Sequence, residues 1–269
     1  MNTVTSRDGT EIAFGRAGEG PPIILVGGAL SDRSAARPLS ARLASDFTVL
    51  AFDRRGRGDS GDTPPYAVER EIEDIDALIG EAGGSPFVFG HSSGAVLALE
   101  AAARGLGIAK LALYEPPFIV DDTRPPLPED YLTHLAELLS AGGRADAVEY
   151  FMTVGAGVPA DGVRQMRAEP MWPALEKLAH TLTYDGAIMG DTVRGKPLDA
   201  ERWTSVRTPT IVMDGGESPP WQRNATRALA EILPGAQHRT LEGQAHGAAP
   251  EVLAPALKEF LAGATLHPL

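Results

Sequence analysis

The segment that decides the fold is Phe87-Val88-Phe89-Gly90-His91-Ser92-Ser93-Gly94-Ala95-Val96, followed by the alanine-rich run 97–104. An apolar, strand-like stretch enters Gly90-His91-Ser92-Ser93-Gly94, a G-x-S-x-G pattern, and a helix-like stretch leaves it. The pattern alone is weak, because few of its positions are fixed. Its placement between strand and helix is what a nucleophile elbow requires. There a sharp turn exposes the serine hydroxyl above the sheet, and small flanking residues let strand and helix approach. Ser92 is the candidate nucleophile. The bland alternative is a glycine-rich turn carrying ordinary serines.

On both sides of this elbow, short β-rich runs alternate with helical patterns, as in an α/β protein with a largely parallel sheet. Residues 22–27, 48–52, 87–90, 108–114 and 210–213 are nearly all apolar, which predicts strands buried on both faces. Residues 3–6 and 11–16 flank the Asp8-Gly9 turn and predict a hairpin; residues 237–241 predict a last strand. Helical periodicity marks 35–44, 68–82, 93–104, 222–233 and 250–262. From 116 to 203 the alternation stops. Helical patterns recur there at 129–140, 144–154, 161–168 and 172–189, with proline and glycine clustered at both edges. This reads as a helical insertion at 116–203 that splits a core of residues 1–115 and 204–269.

Composition excludes several classes. The chain has 269 residues, and at about 150 residues per domain that allows one or two domains. A net charge of −12 disfavours nucleic acid and anionic membrane surfaces as partners. The absence of cysteine excludes a disulfide scaffold, a thiolate nucleophile and Cys-ligated zinc. No basic-then-apolar leader opens the chain, and no run nears the roughly 18 apolar residues of a membrane span, so a cytoplasmic location is expected. There is no H-E-x-x-H and no histidine pair at ligand spacing, so no metal is expected. The glycines at 15–20 lead into a strand rather than a helix, so no dinucleotide cofactor is expected either.

Over essentially its whole length the sequence resembles α/β-hydrolase fold proteins of the cap-bearing kind. That resemblance implies a mostly parallel eight-stranded sheet flanked by helices, with a helical cap inserted after strand six. After the first buried strand the chain has Val26-Gly27-Gly28-Ala29, with Gly27 where the family usually carries histidine. The backbone N–H of Gly28 or Ala29, with that of Ser93, would form the oxyanion hole. The run Asp53-Arg54-Arg55-Gly56-Arg57-Gly58-Asp59-Ser60 matches the family's D-x-R-G-x-G-x-S loop and reads as structural, with Asp53 and Arg55 holding it.

Of the six histidines, only His246 lies in the family's loop between the last strand and last helix, where it would serve as general base. His91 is expected to point away from the serine side. His134 and His180 fall in the insertion, His238 in a strand and His267 in the tail. The acid departs from the pattern. Its usual place after Pro209-Thr210-Ile211-Val212-Met213-Asp214-Gly215-Gly216-Glu217 holds Ser218. Glu115 is favoured, because part of the family places its acid at the end of strand six; Glu217 and then Asp214 are the alternatives.

A serine in the elbow sets the chain apart from the dehalogenases and epoxide hydrolases of this fold, which attack with aspartate. The resemblance implies acyl transfer on a carboxylic ester or lactone. The Ser-Ser elbow with a glutamate after strand six is also similar to macrocyclic lactone hydrolases. Phe118, Phe151, Met152, Met166, Met171, Trp172, Tyr184 and Met189 in the insertion suggest a substrate with a bulky apolar portion, and Trp172 is chosen as a pocket residue. A second copy of the chain is admitted as a partner. The competing readings are a non-hydrolytic small-molecule binder, a cofactor-free perhydrolase-type catalyst and a carbon–carbon bond hydrolase.

Overall fold

A computed structural model describes residues 2–263; His267 lies outside the described residues. Eight strands form one sheet: β1 (Asn2–Thr5), β2 (Glu11–Ala17), β3 (Pro22–Val26), β4 (Thr48–Phe52), β5 (Phe87–His91), β6 (Lys110–Tyr114), β7 (Thr210–Gly215) and β8 (Gln237–Leu241). Their order is β1-β2-β4-β3-β5-β6-β7-β8. The pairs β1–β2 and β2–β4 are antiparallel, and every other pair is parallel. The apolar strands take the centre. The polar β1 and β8 take the edges, where side chains reach solvent.

Period-two alternation along the central strands divides their side chains between two helical layers. Ile24, Leu50, Val88, Leu111 and Val212 face α2 (Val68–Glu81), α3 (Ser93–Ala103) and α9 (Pro220–Ile232). Ile23, Val49, Phe89, Ala112 and Ile211 face α1 (Arg37–Leu43) and α10 (Pro250–Ala262). Helix α3 is apolar on all sides because it is enclosed by the sheet, α2 and the segment between β6 and β7.

That segment carries α4 (Tyr131–Ser140), α5 (Arg144–Tyr150), α6 (Ala160–Arg167), α7 (Trp172–Leu178) and α8 (Leu182–Met189). A π-turn at Phe151–Gly155 continues α5, and a 3-10 turn at Ala179–Thr181 divides the single helical run read at 172–189. Leu135, Val148, Val163, Trp172 and Leu182 form its own apolar cluster, joined by Leu30 from the loop after β3.

The packing boundary differs from the division at 116 and 203. Phe118, Ile119, Ile188, Val193 and Trp203 belong to the core on the α3 side of the sheet. Trp203 stacks on Phe118 at 5.6 Å, and its Nε1 donates to Glu100 at 3.0 Å. The apolar ends of the insertion are thus part of the main core, and its middle alone stands over the sheet.

The 53–60 loop after β4 is held by buried charges. Asp53 accepts the N–H groups of Arg33 and Asp59, Arg55 grips Asp74 through two hydrogen bonds, and Arg54 grips Glu71 likewise.

Candidate active site

Ser92 stands at the junction of β5 and α3 with φ 57° and ψ −128°. A Cβ on Gly90 would lie 2.5 Å from the Gly94 carbonyl oxygen, and one on Gly94 would lie 2.4 Å from that of Val26. Strand, helix and the turn after β3 approach one another only because both positions lack a side chain. Gly94→Ala is expected to destabilise the fold by about 1–3 kcal/mol through overpacking. Urea unfolding measures this, and an unshifted midpoint would refute the close approach.

Leu30, Ser92 and Glu115 are the non-glycine residues with positive φ among the described residues, at 51°, 57° and 47°. Such conformations store strain and persist where the surroundings enforce them. Here they fall at the turn after β3, at the elbow and at the end of β6; Leu30 and Ser92 line one cavity, and Glu115 lies behind it against His246.

His246 lies in the loop after β8. Its Nδ1 donates to Glu115 Oε2 at 2.7 Å, and the other Glu115 oxygen accepts the Gly215 N–H at 2.8 Å. Glu115 is fully buried. Two strand-end side chains pin the histidine loop: the Tyr114 hydroxyl donates to the Ala245 carbonyl at 2.6 Å, and His91 Nε2 donates to the His246 carbonyl at 2.8 Å. The His91 ring also packs against that of His246, with centroids 4.8 Å apart. His91 therefore does not point away from the site, as its place in the elbow suggests; it supports the His246 loop.

Burial first, and the neighbouring His246 second, push the His91 ring down from 6.5 to about 4. The unfolded chain binds this proton more tightly than the folded one, so the His91 contribution lowers stability as pH drops through about 6.5, and that contribution levels off below about 4. His91→Gln is expected to flatten that decline, seen as a smaller gap between urea midpoints at neutral pH and at a pH near 4.5. An equal gap in both proteins would refute the buried neutral ring.

The alternative acids lie elsewhere. Asp214 Oδ2 accepts from His238 Nε2 at 2.9 Å and from Thr226 Oγ1 at 2.7 Å. Glu217 is exposed. Ser218 is buried, and its hydroxyl has no hydrogen-bond partner among the described residues.

Sequence reading missed Gln222, at the start of α9, whose amide nitrogen stands 2.8 Å from the same His246 Nδ1. A ring nitrogen that donates to Glu115 does not also accept from an amide N–H. The side chain therefore works in its rotated orientation, with its oxygen toward the ring. Gln222→Leu is expected to lower kcat about 2- to 10-fold, the worth of one hydrogen bond; an unchanged kcat would remove Gln222 from the site. Nothing in the local sequence marks this residue, because only the fold brings α9 against the histidine loop.

The N–H groups of Gly28, Ala29 and Ser93 donate to no acceptor among the described residues. A Cβ on Gly28 would lie 2.9 Å from Ser92 Cβ, which sets this turn directly against the serine. Ser92, His246, Gly28, Ala29 and Ser93 line a cavity of about 660 Å³ between the sheet's carboxyl edge and the insertion. Among the residues expected to form its apolar wall, Phe151, Met152 and Met189 line it. Trp172 does not. It is 3% exposed within the insertion's own apolar cluster, where α7 presents its buried face, so it is not a pocket residue. Among the described residues no group of three His, Asp or Glu side chains is placed to hold a metal ion. Among the described residues no helix is long and apolar enough to cross a membrane.

A model of the Alpha/beta hydrolase family matches residues 23–256. The chain is 28% identical over 264 residues to 2-(acetamidomethylene)succinate hydrolase of Mesorhizobium japonicum, covering 91% of this chain and 89% of that one. It is 26% identical to the non-heme chloroperoxidase CPO-A1 of Kitasatospora aureofaciens, with 93% of each covered. A crystal structure of an alpha/beta hydrolase from Sphaerobacter thermophilus superposes with a TM-score of 0.92 at 58% identity, over 97% of this chain and all of that one. With the elbow, the sheet order and a family match spanning most of its length, this chain belongs to the alpha/beta hydrolase family.

Proposed function

We propose that this hydrolase cleaves a carboxylic ester or lactone with a bulky apolar portion, through an acyl-enzyme on Ser92. The observation that carries this reading is the hydrogen bond from His246 to buried Glu115, at the same cavity as the strained elbow serine. In the reaction His246 Nε2 takes the Ser92 proton as the oxygen attacks the substrate carbonyl. Glu115 keeps the ring's other proton on Nδ1 and stabilises the imidazolium. The N–H groups of Ser93 and of Gly28 or Ala29 hold the oxyanion. The alcohol leaves with the proton from His246, and a water deprotonated by His246 releases the acid. A lactone follows the same steps with its alcohol still tethered.

Leu30, Phe151, Met152, Leu182 and Met189 around the cavity support an apolar acyl or alcohol group. A fluorophosphonate probe is expected to label the wild type once per chain and to spare Ser92→Ala. A wild type that stays unlabelled after long incubation ends this reading. A panel of aryl esters, alkyl esters and lactones of graded ring size then defines the substrate.

The similarity to a chloroperoxidase favours a second reading, in which hydrogen peroxide replaces water at the acyl-enzyme and releases a peracid. Peracid formation with peroxide present separates the two.

A further inference from the structure

The insertion contributes one buried carboxylate to this region. Asp185 on α8 is 3% exposed and meets two core arginines that are themselves 1–2% exposed. Arg57 Nη2 donates to its oxygens at 2.8 and 3.0 Å, and Arg54 Nη1 donates to Oδ1 at 2.8 Å. The Ser93 hydroxyl donates to the same oxygen at 2.7 Å. Burial would raise the Asp185 carboxyl, but the Arg57 and Arg54 charges outweigh it and hold the group below the usual carboxylate range.

Both arginines also reach the turn after β3. Arg57 Nη1 donates to the Gly28 carbonyl at 2.6 Å, reinforced by Ser31 Oγ at 2.8 Å, and Arg54 Nη1 donates to the Gly27 carbonyl at 3.3 Å. A trans peptide is planar, so its C=O and the following N–H point in opposite directions. Arginines that draw the carbonyls of Gly27 and Gly28 to one side turn the N–H groups of Gly28 and Ala29 to the other. Ser93, which supplies the third N–H, is tied to Asp185 by its own hydroxyl. Without the carboxylate, Arg57 would face the Arg54 guanidinium with no counter-charge of its own, since Glu71 is bound by Arg54; burial first and the Arg54 charge second already pull Arg57 below its usual value.

We infer that Asp185 is a positioning residue for the oxyanion hole: through Arg57, Arg54 and Ser93 it aims the N–H groups that would hold the developing charge. This rests on the acyl-transfer reading above. The insertion then completes the catalytic machinery as well as covering the substrate, because the core carboxylate Glu71 pairs with Arg54, and Asp185 of α8 is the carboxylate that Arg57 meets.

The test uses the whole chain, the best ester of the panel, a trifluoromethyl ketone of the same acyl group and the corresponding methyl ether. The ketone adds to Ser92 as an oxyanion, whereas the ether has no carbonyl. Asp185→Asn is expected to lower kcat about 10²-fold, the scale of a lost oxyanion donor, with KM within about threefold. Ketone affinity should fall by a similar factor, with ether affinity and the acid limb of the kcat/KM pH profile unmoved. Arg57→Lys keeps the buried charge but loses the planar fork, and should show the same split at about tenfold. Ser93→Ala removes a single hydroxyl and should cost about 2- to 10-fold with that split, so the test does not depend on the ionic variants folding. Unchanged ketone affinity in the variants that fold, or equal weakening of ketone and ether, overturns the inference. A wild type that is neither labelled nor active overturns the acyl-transfer reading instead.

Discussion

Ser92→Ala and His246→Ala are each expected to lower kcat by about 10⁶, and the double variant should be no slower than either alone. In the proposed mechanism nucleophile and base act as one unit. Without His246 the serine hydroxyl is a weak nucleophile at neutral pH, and without Ser92 the base has no proton to take. What remains should be the acceleration from oxyanion stabilisation and binding, about 10³–10⁴ over water. The geometry makes these variants mild for the fold. Ser92 sits at φ 57°, a conformation that costs a non-glycine residue energy whether it is serine or alanine, so the substitution does not relieve it. The histidine loop keeps its anchor at the Ala245 carbonyl, held by Tyr114, and at the His246 carbonyl, held by His91, because both bonds go to backbone. Steady-state rates corrected by active-site titration measure the effect. Retention of a tenth of wild-type kcat in either variant would move the chemistry to another group.

How much of this could be read from the chain depends on whether the signal is local. The elbow is local: strand, Gly90, Ser92, Gly94 and helix follow one another in sequence, and each glycine answers a contact its neighbours create. Strands and the last helix were legible for the same reason, since β4, β8 and α10 fall on the residues their patterns predict. The acid was ambiguous because three carboxylates lie near the carboxyl edge of β6 and β7, and only side-chain direction separates them. Asp214 continues the alternation of β7 on the face of Val212, under α9, where Thr226 and His238 take it. Glu115 escapes that alternation by turning to positive φ, which no pattern of residue types announces. Trp172 was misplaced because a large apolar side chain on an amphipathic helix looks alike whether it faces a cavity or its own cluster. Asp185, Arg57 and Gln222 were invisible for a further reason. Their partners are 128, 29 and 24 residues away in the chain, and their meaning exists only after folding.

Glu115→Gln is expected to lower kcat by about 10⁴ while leaving the fold and substrate binding close to wild type. The glutamine can keep one contact, since its oxygen still accepts the Gly215 N–H that Glu115 Oε1 accepts at 2.8 Å. Its NH₂ group then faces His246 Nδ1, where Glu115 Oε2 stood at 2.7 Å. An amide N–H requires an acceptor there, so the ring proton moves to Nε2. That is the nitrogen that must take the serine proton, and a protonated Nε2 does not accept it. The imidazolium of the transition state also loses its counter-charge. Both effects act on the chemical step, so KM should change little. The alternative acids give the contrast: Glu217→Gln should keep kcat within about twofold because an exposed carboxylate there is worth little. Asp214→Asn should act on stability through His238 and Thr226 and not on the acid limb of the pH–rate profile. Full activity in Glu115→Gln, or a loss confined to Asp214→Asn or Glu217→Gln, would assign the acid elsewhere.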